Sequence, residues 1–336
     1  MRKWATVSVI AVALSATGWA GAWFLIAQKS AEAVDKWIED EKSRDRLWTC
    51  ASRHTEGFPF QLRLRCDTPS FTSPTGPIQS GVAQRLTAEA SVSSPFQIGF
   101  KIEGPLKLAT RSGTASVRWN SFIGSINTRA ATPDISMSAH GVLVDEASAD
   151  FSSWARARAS EVAIRVQPSP DRAPGSNAQL LTTSVDGMSS SPLDTLFGSA
   201  DPFRTTLSAI ILNAGSASSG AFAERLDRWS ESGGRVQVGS LIAEKGASRL
   251  EASGDLTLDD RRRPSGKLSV RMTGVQSILS RLNLPSAPLA IEGLLRGSGS
   301  RGGASLLENR TLPLELRAGR LYIGPLRTPV VIPLLI

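Results

Sequence analysis

Histidine and cysteine are nearly missing from this sequence: the chain of 336 residues contains two of each. With no CxxC pair and no HExxH, the residues for a His/Cys metal centre are not there. GxSxG, the phosphate-binding P-loop and the dinucleotide fingerprint are absent as well, which excludes the commonest nucleophile and nucleotide motifs. His54 follows Arg53, and His140 sits in "SMSAHGVLV" between two strand-like runs, so both read as surface or turn residues. A hydrolase would need a Ser/Asp/His cluster converging on one of them. Asp259 and Asp260 are adjacent and point apart in a turn, so they cannot flank one glycosidic bond. An enzyme of this size usually supplies a convergent set of titratable groups. The expectation is a non-enzymatic protein with no catalytic residue, no cofactor and no metal.

The charge is +8, and the basic residues are scattered. Arg261-Arg262-Arg263 is the one dense run, and it follows Asp259-Asp260. Without a basic patch interleaved with aromatics, nucleic acid is not an expected partner, and anionic lipid headgroups suit the excess better.

Charge is absent altogether from Trp4 to Ala27, a stretch of the length needed to cross a bilayer as a helix. Arg2 and Lys3 precede it and would stay in the cytoplasm, leaving everything after Gln28 exported. Residues 1–27 are therefore expected to be an uncleaved transmembrane signal-anchor, although "AGA" at Ala20–Ala22 also offers a signal-peptidase site. In an oxidising compartment Cys50 and Cys66 are expected to close a disulfide worth about 3 kcal/mol, with two buried thiols as the alternative.

What remains is helix, then strand. Residues 28–46 are rich in helix formers and read as a helical linker, with Trp37 as an interface anchor. From Trp48 the period becomes two. In "WTCASRHTEGFPFQLRLRC" the residues Phe58, Phe60, Leu62, Leu64 and Cys66 fall on one side of an extended chain. The same alternation places Leu86, Ala88, Ala90 and Val92 together, and likewise Phe96, Ile98, Phe100 and Ile102. Leu106 and Leu108, Val162 to Val166, Leu256 and Leu258, then Leu268, Val270 and Met272, Leu312 to Leu316, and Leu321 with Ile323 repeat it, with Gly, Pro and Ser turns between.

The predicted fold is mainly β with a few helices: a curved, one-sided antiparallel sheet, a half-barrel or groove, over residues 47–336. The Pro- and Ser-rich stretch near 167–201 reads as a long loop or as a split between two halves. Short helices are predicted over "SSGAFAERLDRWSESGG" and "TGVQSILSRLNLP". Phe58, Phe60, Leu62, Leu64, Phe96, Ile98, Phe100, Ile102, Leu268, Val270 and Met272 are the candidate lining of an apolar groove. If Phe58, Phe60, Phe96 and Phe100 were all buried under the protein's own helices, the face would be an ordinary core.

The Trp-x-Cys, Gly-Phe-Pro-Phe and second Cys of "WTCASRHTEGFPFQLRLRC", behind a single membrane helix, resemble bacterial envelope proteins of domain of unknown function 2125. "LDRWSESGGRVQVGSL" and "ASGDLTLDDRRRPSGKLSVRMTG" are also similar to that family, over about Trp4 to Leu326. The C-terminal "LPLELRAGRLYIGPLRTP" resembles the AsmA-like envelope proteins. These resemblances imply a single-pass protein of the bacterial inner membrane, bulk in the periplasm, with the inner membrane, a lipid ligand and an envelope protein as partners. The function implied is lipid handling or envelope assembly through a β-groove; the alternative is a structural adaptor with a closed β core.

Overall fold

The computed structural model describes the backbone of residues 2–74, 78–129, 134–148, 152, 154–170, 177–217, 222–274, 311–323 and 326–331, with side chains from residue 14 onward except at 323, 326, 329 and 330. The helix expected over "TGVQSILSRLNLP" lies outside these residues.

The chain begins as one uninterrupted helix, α1 (Arg2–Lys42), so the apolar stretch and the predicted linker are a single rod. Among the residues whose side chains are described, no helix is long and apolar enough to cross a membrane. The first part of the uncharged run, residues 4–13, is outside that set.

Among the described residues, the chain after α1 is built on one antiparallel sheet of twenty strands. In order they are β1 (Leu47–Thr49), β2 (Ser52–Glu56), β3 (Gln61–Asp67), β4 (Ser70–Thr72), β5 (Ser80–Val82), β6 (Arg85–Ser91), β7 (Ser94–Glu103), β8 (Leu106–Thr110), β9 (Gly113–Arg118) and β10 (Ser121–Asn127). They continue as β11 (Asp134–Ala147), β12 (Arg158–Pro168), β13 (Gln179–Met188), β14 (Phe203–Leu212), β15 (Arg235–Lys245), β16 (Ser248–Leu258), β17 (Pro264–Thr273), β18 (Thr311–Arg317), β19 (Arg320–Ile323) and β20 (Leu326–Val331). Two short helices interrupt the meander, α2 (Ser191–Phe197) and α3 (Phe222–Glu231).

The first ten strands are halves of longer ones. β1 pairs with β4 and β2 with β3 in one register, and the ladder crosses the gap through the Ala51 N–H donating to the Asp67 carbonyl at 3.0 Å. The bonds from Thr68 to Gln84, Gln84 to Glu103 and Asn120 to His140 carry the same line across the sheet. The gaps are thus a single crease, and β11 runs through it unbroken, pairing β10 before and β9 after. Gly141 sits on the crease at φ +62°, where a Cβ would meet the Asn120 side chain at 2.3 Å. Counted as these longer strands, each pairs with its sequence neighbours, and the described strands leave the sheet open rather than closing it into a barrel.

Cross-strand partners share a face. Leu62, Ala90, Ile98, Ile126, Ile135, Val166, Leu181, Ala209, Val238, Gly254, Leu268 and Leu314 are partners in unbroken succession, so one apolar row crosses the sheet. A second row begins Leu64, Ala88, Phe100 and, through Gly124, reaches Met137 and Ile164. Strict alternation would put Val238 and Leu241 on opposite faces. A β-bulge between them, where both flanking ladders shift register, returns Leu241 to the apolar side.

Three expectations are corrected. β3 starts at Gln61, and Phe58 to Phe60 form the β2–β3 turn, with a cis Phe58–Pro59 bond, because the ladder ends at Glu56↔Arg63. His140 is inside β11, opposite Ser121 and Glu161. Ser184 to Met188 are strand, not loop: their backbone groups pair into β13 despite weak hydrophobic alternation. Trp37 is part of a ring contact with Trp48 at 5.5 Å.

α2 is pinned by charge. The Lys245 side chain is fully buried, and its Nζ donates to Asp194 Oδ1 at 2.7 Å and to the Asp201 carbonyl. α3 presents Trp229, which is buried and donates its indole N–H to the Leu212 carbonyl at 2.8 Å. Gly233, with φ +75°, ends that helix as the sequence predicts.

Candidate apolar groove and the stapled hairpin

α1 lies along the first strands and roofs part of the apolar face. Between them is a cavity of about 320 Å³, lined from the helix by Ala33, Val34 and Trp37 and from the sheet by Leu62, Leu64, Ala88, Ala90 and Ile98. The sequence-predicted groove residues Leu62, Leu64 and Ile98 meet here. Phe100 is the cross-strand partner of Gly124, and a Cβ on Gly124 would come within 2.2 Å of its ring. Glycine therefore leaves the space that Phe100 occupies.

The other predicted residues lie elsewhere. Phe96 is 49% exposed, with the Arg129 guanidinium 5.7 Å from its ring centroid. Val270 is 1% exposed and forms a small buried cluster with Ala252 and Leu314, against which Leu268 and Met272 pack. That end of the apolar face is core. Phe58 and Phe60 are 52% and 67% exposed and belong to the turn, not to the strand face.

The turn is held by α1. The Trp19 indole N–H donates to the Pro59 carbonyl and that of Trp23 to the Gln61 carbonyl, each at 3.0 Å. Ring centroids of Trp23 and Phe58 are 5.5 Å apart, and those of Trp19 and Phe60 6.2 Å. Further along, Arg53 of β2 bridges to Asp35 of α1 at 2.7 Å, which holds the Asp35 carboxyl below its ordinary range. The Trp19, Trp23 and Asp35 contacts were invisible in the sequence, since helix periodicity does not say which strand a helix will meet.

The staple exists. Cys50 and Cys66 form a disulfide with 5.5 Å between Cα atoms, and Cys66 is buried. Beside it, Asp67 accepts from Arg85 at 2.9 Å, from Ser52 at 3.0 Å and from Arg65 at 3.2 Å. These donors, Arg85 foremost, lower its pKa to about 2. Arg85 also pairs with Glu103, so one ion network crosses three strands next to the disulfide.

At the top of α1, the buried Glu41 pairs with Arg46 and Arg44, and its carboxyl is held low chiefly by Arg46. Arg225 of α3 feels this same group: burial lowers its pKa first, then the charges of Arg46 and Arg44. Asp259 receives the backbone N–H groups of Arg261 and Arg263 and is a turn residue, as the sequence predicts.

No group of three His, Cys, Asp or Glu side chains is arranged to hold a metal ion among the described residues. His54 and His140 occupy exposed strand positions.

The family model for uncharacterized proteins conserved in bacteria, DUF2125, matches residues 23–330. The chain belongs to this family. No curated protein and no solved structure matches the chain. The DUF2125 match begins at Trp23 and so takes in the Trp23–Gln61 and Asp35–Arg53 contacts between α1 and the hairpin, but not those of Trp19.

Proposed function

We propose that this protein is a non-enzymatic, inner-membrane-anchored periplasmic protein whose curled β-sheet holds an acyl chain or similar apolar ligand, in lipid handling or envelope assembly. The observation that carries the reading is the unbroken apolar row across the sheet, most of it half-buried, with a cavity where α1 covers it. Ordinary one-sided sheets bury such a face completely against helices. Phe96, two residues from Ile98 on β7, remains half exposed, contrary to what a closed core would give.

Curling of the sheet is supported by Arg225. From β1 to β14 there are eight inter-strand steps, about 38 Å along a flat sheet. Yet Arg46, next to β1, and Arg225, which follows β14, act on each other electrostatically. The uncharged run Trp4–Ala27 after Arg2 and Lys3 supports the anchor and the export of the rest. The AsmA-like pattern of the C-terminal hairpin points to the same class of envelope protein.

A structural adaptor is the second reading, and the buried Val270 cluster favours it, because there the sheet makes a core of its own. Native mass spectrometry of the full chain, extracted from membranes in mild detergent, separates the two. A co-purifying lipid that disappears in Leu64→Asp, with the disulfide and cooperative melt retained, supports the groove. A lipid-free wild type, or loss of lipid only together with loss of fold, rejects it.

A further inference from the structure

We propose that the tip of the β2–β3 hairpin, Gly57–Phe60, is a second membrane contact, seated at the boundary between headgroups and acyl chains beside α1. It rests on the anchored reading above, and it adds a site that anchoring alone does not require.

The first observation is a shared apolar surface. Phe58 and Phe60 are more than half exposed, and they touch a helix segment whose Phe24 and Leu25 are 65% and 64% exposed. Leu14, nearer the N-terminus, is 68% exposed. Aromatic rings on both elements interleave, through Trp19 with Phe60 and Phe24 with Phe58. Large aromatics left in water side by side on two elements are costly, and a bilayer interface is the environment in which tryptophan and phenylalanine are favoured.

The second is a common level. Trp23 meets Phe58, and Asp35 meets Arg53, so β2 runs alongside α1 in the opposite sense. Counting from the Trp23–Phe58 contact, the first charge on the helix is Lys29, about 9 Å higher at the helical rise. On the strand it is Glu56, about 7 Å higher at the extended rise. Below this level neither the hairpin tip nor the helix back to Trp4 carries a charge. Two elements of different secondary structure changing from apolar to charged at one height match the profile of a lipid layer. A pocket on a partner protein sets no such plane.

The third is the backbone. The carbonyls of Gly57, Pro59, Phe60 and Gln61 accept from Gln61 N–H, Trp19, Val92 N–H and Trp23 respectively. Turn carbonyls in water are normally left to solvent. Acceptors at membrane depth must be satisfied within the protein, and these are.

The test is nitroxide accessibility in the full, disulfide-oxidised chain reconstituted into vesicles of phosphatidylethanolamine and phosphatidylglycerol. Phe60→Cys is labelled, with Phe58→Cys as a second reporter of the tip, Leu14→Cys on the helix, and Ser112→Cys in the exposed β8–β9 turn. We expect labels at 60, 58 and 14 to collide with oxygen several-fold more than with a water-soluble nickel chelate, and the label at 112 to show the reverse. A label at 14 in lipid with those at 58 and 60 in water overturns the tip contact and leaves the anchor standing. Labels at 14, 58 and 60 all in water overturn both. Shielding of the tip labels from both reagents overturns it in favour of a protein partner.

Discussion

The indole N–H of Trp23 lies 3.0 Å from the carbonyl oxygen of Gln61, a hydrogen bond spanning 38 residues of sequence that locks the first helix onto the first hairpin. Trp23 is 5% exposed. Trp23→Phe keeps most of the ring packing and strands the carbonyl, so the expected loss is about 1–2 kcal/mol. Trp23→Ala adds a cavity and should cost on the order of 3–5 kcal/mol. Thermal melts of both variants check the ranking, and equal losses would mean that the ring packing contributes nothing.

The staple should be closed in the native protein. A thiol-specific label is expected to react with Cys50 and Cys66 only after reduction, and the Cys50→Ser/Cys66→Ser pair should lose about 3 kcal/mol by the loop-closure estimate. Labelling of native protein without reductant would contradict the bridge.

Acid should also act beside that staple. The Asp67 carboxyl, with its pKa of about 2 in the folded state and 3.8 as its ordinary value, is charged and bonded to Arg85 when folded. A depressed folded pKa gives stability that is complete above the unfolded value and is lost as the pH falls toward the folded one. Melting temperature should therefore drop between about pH 4 and pH 2. Asp67→Asn should start lower at pH 7 and fall less steeply across that window.

Lys245 and Asp194 should respond unequally. Asp194→Asn removes the carboxylate that neutralises a fully buried ammonium, and an uncompensated buried charge costs on the order of 3–5 kcal/mol. Lys245→Met leaves a carboxylate that is partly open to water, so its cost should be smaller. Urea titrations of the two variants decide the order.

Gly124→Leu should destabilise by about 1–3 kcal/mol through overpacking against Phe100. Phe100→Ala in the same chain should recover part of the loss, a coupling that a double-mutant cycle reads directly.

Much of the sheet was legible because its apolar face repeats every second residue, as at Leu62 and Leu64, Ile98 to Ile102, and Leu268 to Met272. The short runs of Ser and Thr in β10 and β13 were not, since their strands are fixed by ladder pairing with neighbours and carry little hydrophobic signal of their own. Phe58 and Phe60 kept the alternating spacing of the strand that follows, which concealed the turn. For the groove, spacing located Leu62, Leu64 and Ile98 but could not tell them from Val270, because the same alternation describes a residue facing a cavity and one sealed in a core. Helix position over the sheet, set by Trp19, Trp23 and Arg53, makes that difference.

A sheet in which each strand finds its partners next to it in sequence needs no distant segment before it can grow. As the chain is made, the hairpin of β2 and β3 can close first against the helix already behind it, and each later strand adds to the edge left by the one before. At every stage the growing structure presents a fresh unpaired edge, besides the fixed outer edge of β1 and β2. The order of assembly is thus written in the connectivity, and the exposed edge moves from residue 72 toward residue 331 as synthesis proceeds.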